Sequence, residues 1–300
     1  MDTKKLNVLV TGANGQLGRA LRDAAAGSGA HFIFTDVNEL PGAETVYLDV
    51  TNAGAVQITA DSEEADIIIN CASYTNVDGA EDDTDMAEQL NAAAVASVAE
   101  VARKSGATLI HISTDYIFPG NAFSPIGEDA LPEPLNVYGA TKLAGEKAAL
   151  KSGCKCIILR TAWLFSEYGR NFVKTILNLT SSRPEIKVVS DQIGSPTYAP
   201  DLASFIVRII DGGLIGHTGI YNFTNEGAAS WYDFASAVCS MAGNTCRVLP
   251  CSSEQYRTRA RRPKYSVLDK SRVKETFGVS IPWWEDSLRK CILNLKKEAK

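Results

Sequence analysis

Two rhythms of hydrophobic and polar positions alternate along the first half of the chain. Short, nearly continuous apolar runs at LNVLVTG, HFIFTD, ETVYLDV, ADIIINCA and ATLIHIST predict five buried strands. Between the first two, QLGRALRDAAA sets Leu17, Ala20, Leu21 and Ala24 at helical spacing, and an Ala-rich helix is expected from about Ala80 to Lys104. Strands that are apolar on both faces and joined by helices belong in a parallel sheet covered on both sides. After Thr114 the pattern loosens. PGNAFSPIGEDALPEPLN, rich in Pro, Gly and Asn, predicts a surface loop, followed by a helix at YGATKLAGEKAAL and a strand at KCIILRTA. Beyond about Trp163 the elements become shorter and less regular, with helices at SWYDFASAVCSMAG and WWEDSLRKCILNL. The expected architecture is an α/β fold: a Rossmann-type doubly wound parallel sheet, mainly residues 1–162, and a smaller, intermingled lobe for a substrate, mainly residues 163–300, with some segments returning to the main domain.

The strongest local signal is TGANGQLG, which puts Gly12, Gly15 and Gly18 between a strand and a helix. A turn this tight lets a pyrophosphate approach backbone N–H groups at the helix N-terminus, with Gln16 and Leu17 opening the helix beside it. The second strand ends in Asp36, where a carboxylate can accept hydrogen bonds from an adenosine ribose and disfavour a 2′-phosphate; no Arg stands next to it. A nicotinamide dinucleotide is therefore expected, NADH or NADPH, with NADH favoured. Asp49 and Val50 at the end of the third strand, and Ala72, Ser73 and Tyr74 at the end of the fourth, should lie along the same ligand, because ligands gather at strand C-termini.

Tyr138 and Lys142 are four residues apart in a predicted helix and so share a face. An ammonium beside a phenol should lower the phenol pKa from about 10 toward the range of a general acid/base. Thr114, at the end of the fifth strand, can hydrogen-bond a substrate carbonyl. Thr114, Tyr138 and Lys142 are the candidate catalytic set, with Tyr138 and Lys142 also touching the cofactor.

Composition narrows the setting. Charged residues make up 22% and the net charge is −5, which suits a soluble globular protein and excludes a broad nucleic-acid face. No apolar run approaches the ~18 residues that span a bilayer. The N-terminal apolar stretch is short and runs into the glycine turn, unlike a signal peptide. Seven cysteines without a secretion signal point to free thiols and a cytoplasmic location. Cys154 and Cys156 lack further ligands at metal spacing, so they read as packing and no metal is expected.

The chain resembles the dTDP-4-dehydrorhamnose reductases of the extended short-chain dehydrogenase type. The motifs that carry the resemblance run nearly end to end: TGANGQLG, YTNVDGAE, HISTDYIFPG, PLNVYGATKLAGE, LRTAWLF, NFVKTIL, SDQIGSPT, SWYDFA and RRPKYSVLD. The resemblance implies a dTDP-sugar as partner molecule and reduction of its C4 keto group, with Tyr138 protonating the sugar oxygen and Lys142 holding the nicotinamide ribose. It implies sugar contacts from Thr114, Asp115 and Trp163. Four arginines crowd residues 257–262, and the resemblance favours Arg262 as a substrate contact. Gln192, Pro196 and Thr197 read equally as pocket residues or as a structural turn, and Ser230-Trp231 as a helix cap with a buried indole. Dehydratases of this superfamily carry Thr-Asp-Glu where this chain has Thr114-Asp115-Tyr116, which removes the base that elimination needs. Another nucleotide-sugar reductase or epimerase stays open, as does a non-catalytic NADP-binding subunit like the regulatory subunit of methionine adenosyltransferase. A homodimer is allowed, but nothing in the sequence directs one.

Overall fold

The structure is a computed structural model and describes residues 5–298. Along the chain come β1 (Asn7–Thr11), α1 (Gln16–Ala25), β2 (His31–Asp36), β3 (Val46–Tyr47), α2 (Ala53–Ser62), β4 (Ile67–Asn70), α3 (Val77–Ala80), α4 (Thr84–Glu88), α5 (Ala94–Ser105), β5 (Thr108–Thr114), α6 (Val137–Ser152) and β6 (Lys155–Thr161). There follow β7 (Leu164–Phe165), α7 (Phe172–Ser182), β8 (Glu185–Val189), β9 (Ile193–Gly194), β10 (Thr197–Tyr198), α8 (Ala199–Asp211), β11 (Gly219–Asn222), β12 (Ala229–Ser230), α9 (Trp231–Ala242), β13 (Arg247–Cys251), α10 (Ser271–Phe277) and α11 (Trp284–Glu298).

Seven parallel strands form the main sheet in the order β11-β6-β5-β4-β1-β2-β3. Successive side chains of a strand point to opposite faces, and the apolar residues divide accordingly. Val8, Val10, Ile67 and Ile69 pack with Leu17 and Leu21 of α1 and Ile206 and Ile210 of α8. Leu9, Ile68, Leu109 and Ile158 pack instead with Val56 of α2, Val95 and Val98 of α5 and Ala149 of α6. A separate core around Phe165, Val173, Ile176, Phe234, Trp284 and Leu288 sits under α7, α9 and α11. The later half also returns to the sheet: α8 covers it beside α1, and β11 extends it beyond β6.

Several elements differ from the sequence expectation. The third strand shrinks to Val46–Tyr47 because it is the sheet edge, where both residues are exposed. Helix α2 has no counterpart in the expectation, since it buries only Val56 and Ala60 and carries no strong apolar stripe. The Ala-rich helix is broken. Asp83 caps α4, and a π-helical segment at Gln89–Ala93 joins it to α5. The loop at 119–136 is not wholly on the surface, for Ile126 and Glu128 are buried and the Glu128 carboxylate accepts the Asn222 N–H at 3.0 Å. Helix α6 is sharply bounded: the Asn136 side chain accepts the Gly139 N–H at 2.8 Å, and Gly153 ends the helix in the left-handed region at φ +75°.

Candidate active site

A cleft of about 880 Å³ runs across the C-terminal ends of the strands. One end is the glycine turn. Gly12 has φ +63°, and a Cβ there would lie 2.6 Å from the Ala72 backbone nitrogen, so only glycine lets the end of β1 approach the end of β4. At Gly18 a Cβ would meet Ala13 Cα at 2.4 Å, which keeps the turn folded onto α1. Gly12, Gly15, Gln16, Leu17, Gly18, Asp36, Asp49, Val50, Ala72 and Ser73 all line this end. Tyr74 does not; its backbone is held by the side chain of Asn91, which accepts the Tyr74 N–H at 2.9 Å and donates to its carbonyl at 3.1 Å. The Asp36 carboxylate lines the cleft while accepting the N–H groups of Asn14 and Asn38, each at 3.0 Å.

The floor is made by β5 and α6. Thr114, Asp115, Tyr138 and Lys142 line it together. Lys142 is buried and its Nζ donates to the Ile112 carbonyl at 2.6 Å. Burial brings the ammonium down to about 8, against the opposing effect of Glu146 one turn further along α6. The Tyr138 ring meets Tyr116 edge-on, with centroids 5.8 Å apart. Its phenol is pushed up to about 12, first by burial and then by the Asp115 carboxylate, while a hydrogen bond with Thr114 pulls the other way. This corrects the expected lowering by Lys142, whose ammonium is bonded to a backbone carbonyl rather than to the phenol. The Asp115 carboxyl is raised to about 7 by burial, opposed by the nearby Ser266 and Thr114 hydroxyls. Its Oδ1 accepts from Thr114 at 3.2 Å, and its buried Oδ2 has no partner among the described residues.

Beneath the floor lies a buried polar anchor that sequence reading missed. Glu146 pairs with Arg160 of β6 at 2.7 Å and accepts the Ser113 hydroxyl at 2.5 Å, while Arg160 also donates to the Glu128 carbonyl. Both charges are nearly inaccessible, so this geometry ties β5, α6 and β6 together under Thr114 and Lys142. Asn91 adds a second tie by donating to Thr141 of α6 at 3.1 Å, from within the π-helical segment. YxxxK spacing pointed to the helix but carried no signal for these partners.

The wall comes from the later half of the chain. Trp163 holds φ +49°, unusual for a bulky residue. Its indole stacks on Trp231 at 3.5 Å between centroids with a 9° interplanar angle, and Gly194 passes so close that a Cβ would lie 2.6 Å from the ring. Ser230 caps α9 through a capping box with Asp233, as its position suggested, but Trp231 is only half-buried and lines the cleft beside Trp163. Gln16 ties the glycine turn to this wall: its Oε1 accepts from Ser166 and Asn171 at 2.9 and 3.0 Å.

Arg262 stands apart from the cleft lining. Its guanidinium grips both carboxylate oxygens of Asp78, at 3.1 and 2.7 Å, and Arg259 pairs with Asp82. Glu81 of the same acidic segment accepts the Val137 N–H at the start of α6, at 2.9 Å. The basic loop is thus clamped to the neighbourhood of the site through carboxylates that sequence reading left unassigned. Gln192 donates to Ser253, and neither it nor Pro196 nor Thr197 lines the cleft. Among the described residues no cluster of three or more His, Cys, Asp or Glu could hold a metal ion, and no helix is long and apolar enough to cross a membrane.

Residues 6–297 match the family described as the RmlD substrate binding domain. The dTDP-4-dehydrorhamnose reductase of Aggregatibacter actinomycetemcomitans is 39% identical over 292 residues, 94% of this chain and 97% of that protein. Among solved structures, a dTDP-4-dehydrorhamnose reductase from Clostridium acetobutylicum superposes with a TM-score of 0.90 at 39% identity, covering 97% of this chain and 100% of the other. The Bacillus anthracis dTDP-4-dehydrorhamnose reductase, solved in complex with NADP, gives 0.88 at 38% identity, covering 97% and 99%.

Proposed function

Because the chain belongs to the RmlD substrate binding domain family, we propose that it is an NAD(P)H-dependent oxidoreductase that reduces the C4 keto group of dTDP-4-dehydro-L-rhamnose to give dTDP-L-rhamnose. The observation that carries this reading is one continuous cleft with a dinucleotide turn at one end and Thr114, Tyr138 and Lys142 at the other. The turn suits the cofactor: Gly12 and Gly18 leave no room for a side chain between the strand ends and α1, so backbone N–H groups face the ligand. Gly12, Gly15, Asp36 and Ser73 would hold the cofactor, and when bound its reduced nicotinamide supplies a hydride to the substrate carbonyl.

Proton delivery falls to Tyr138. Reduction turns a carbonyl oxygen into an alkoxide that must be protonated, and a phenol held at about 12 is fully protonated at neutral pH. The same shift that would make Tyr138 a poor base keeps it loaded as an acid. Thr114 orients the phenol and the sugar oxygen. Lys142, whose ammonium burial brings down to about 8 and which stays mostly protonated at neutral pH, steadies the ribose. Asp115 offers its unpartnered oxygen to a sugar hydroxyl, and Trp163, braced by Trp231, bounds the same part of the cleft. The finer reading is that Asp36 favours NADH. We place the reaction in the cytoplasm, in keeping with free cysteines throughout. The residues given these roles all lie on one chain, so a homodimer would carry two such sites.

The test is oxidation of NADH and of NADPH in the presence of dTDP-4-dehydro-L-rhamnose, with the product identified by mass and NMR. Substrate-dependent oxidation yielding dTDP-L-rhamnose is expected, with the larger kcat/KM for NADH. Cofactor binding without oxidation would favour the non-catalytic subunit.

A further inference from the structure

The cleft is short of positive charge for ligands that carry two diphosphates. Its lining acids are Asp36, Glu39, Asp49 and Asp115, against Lys142 and Arg170 as the cations among the described residues. Lys142 is buried, with its ammonium donated to the Ile112 carbonyl. Arg170 is the opposite case. It is exposed, it lines the cleft, and among the described residues it has no hydrogen-bond or ion-pair partner.

Its placement is specific. Gly169 turns at φ +60° against Gln16, where a Cβ would sit 3.4 Å from the Gln16 Cγ. On the other side, Asn171 donates to the Gln16 Oε1 at 3.0 Å and to the carbonyls of Ser166 and Tyr168. Arg170 is therefore carried on a tightly braced turn bonded to the glycine turn itself. A helix N-terminus offers only about half a positive charge, whereas a pyrophosphate bears two negative ones. An arginine fork beside it supplies a full charge and paired donors.

We propose that Arg170 is a diphosphate-binding residue which takes the pyrophosphate of the nicotinamide dinucleotide, so that the second lobe contributes directly to cofactor binding. This rests on the reductase reading above. The diphosphate of the sugar nucleotide has the same chemistry, but the bonds through Gln16 put Arg170 at the glycine turn, which favours the cofactor.

The experiment is equilibrium titration of the full chain, wild type, Arg170→Ala and Arg170→Lys, with NADH, ADP-ribose, reduced nicotinamide mononucleotide and dTDP. Arg170→Ala should raise the Kd for NADH and ADP-ribose about tenfold, the scale of one charge-assisted hydrogen bond. Arg170→Lys should fall between, and the mononucleotide and dTDP should bind as to wild type. Thermal unfolding serves as the folding control and should be unchanged. Equal NADH affinity in wild type and Arg170→Ala would overturn the proposal, as would a loss confined to dTDP. A wild type that binds neither NADH nor NADPH would remove the reductase reading and this proposal together.

Discussion

The floor and the wall of the cleft are built by different physics. The floor, β5 and α6, is held from beneath by buried polar groups: Glu146 against Arg160, Ser113 on Glu146, Asn91 on Thr141. The wall, from Trp163 to Trp231, is held by stacked rings, a left-handed tryptophan and a glycine pressed against an indole. Directional hydrogen bonds fix where a hydroxyl or ammonium points, which proton transfer needs. Stacked aromatic surface fixes a shape with less regard for angle, which sugar recognition needs. The two regions should therefore fail differently when broken.

The largest effect is expected under the floor. Glu146→Gln leaves the Arg160 charge buried without its partner, and should lower unfolding free energy by about 3–5 kcal/mol in denaturant titration. A loss under 1 kcal/mol would mean that the anchor is not what holds β5, α6 and β6 together. Next comes Tyr138→Phe, which should cut turnover at least ~100-fold while NADH affinity, read by fluorescence titration, survives. On the wall, Trp231→Ala should raise the KM for the nucleotide sugar about tenfold through loss of aromatic contact. It should also abolish the exciton couplet that two stacked indoles give in circular dichroism; a surviving couplet would mean that Trp163 and Trp231 are not stacked in solution.

The smallest effect concerns pH. His111 is fully buried, bonded to Asn70 at 3.3 Å, and its pKa lies well below 6.5 because burial disfavours the imidazolium, with Lys142 nearby adding to this. The folded protein keeps this ring neutral, while the unfolded chain binds a proton below about pH 6.5. Stability should then fall as pH drops below that point, by at most about 1.4 kcal/mol per pH unit from this residue. Other groups titrate in the same range, so the readout is the difference in pH slope between wild type and His111→Gln, which should be shallower in the variant. Identical slopes would show that His111 takes up its proton equally in the folded and unfolded states, contrary to its buried neutral placement.

The floor was far more legible in the sequence than the wall. Apolar runs predicted the inner strands because β1, β4, β5 and β6 are buried on both faces, a condition that composition alone records. Thr114, Tyr138 and Lys142 could be named because a strand end and an i, i+4 pair are local facts. Edge strand β3 and helix α2 were harder to place, since little of either is buried. Partners distant in sequence left no local trace. Arg160 finds Glu146 across a helix–strand packing, and Trp231 finds Trp163 from 68 positions away along the chain. Arg262 shows the same limit from the other side: its basic neighbourhood suggested a phosphate, while the folded chain gives it Asp78.

The most direct test sets one variant from each region side by side, measuring kcat and KM for dTDP-4-dehydro-L-rhamnose with saturating NADH. Tyr138→Phe should lose kcat with KM little changed, and Trp231→Ala should lose affinity with kcat largely kept. Near-normal turnover in Tyr138→Phe, or a collapse of kcat in Trp231→Ala at unchanged KM, would contradict the assignment of chemistry to the floor and recognition to the wall.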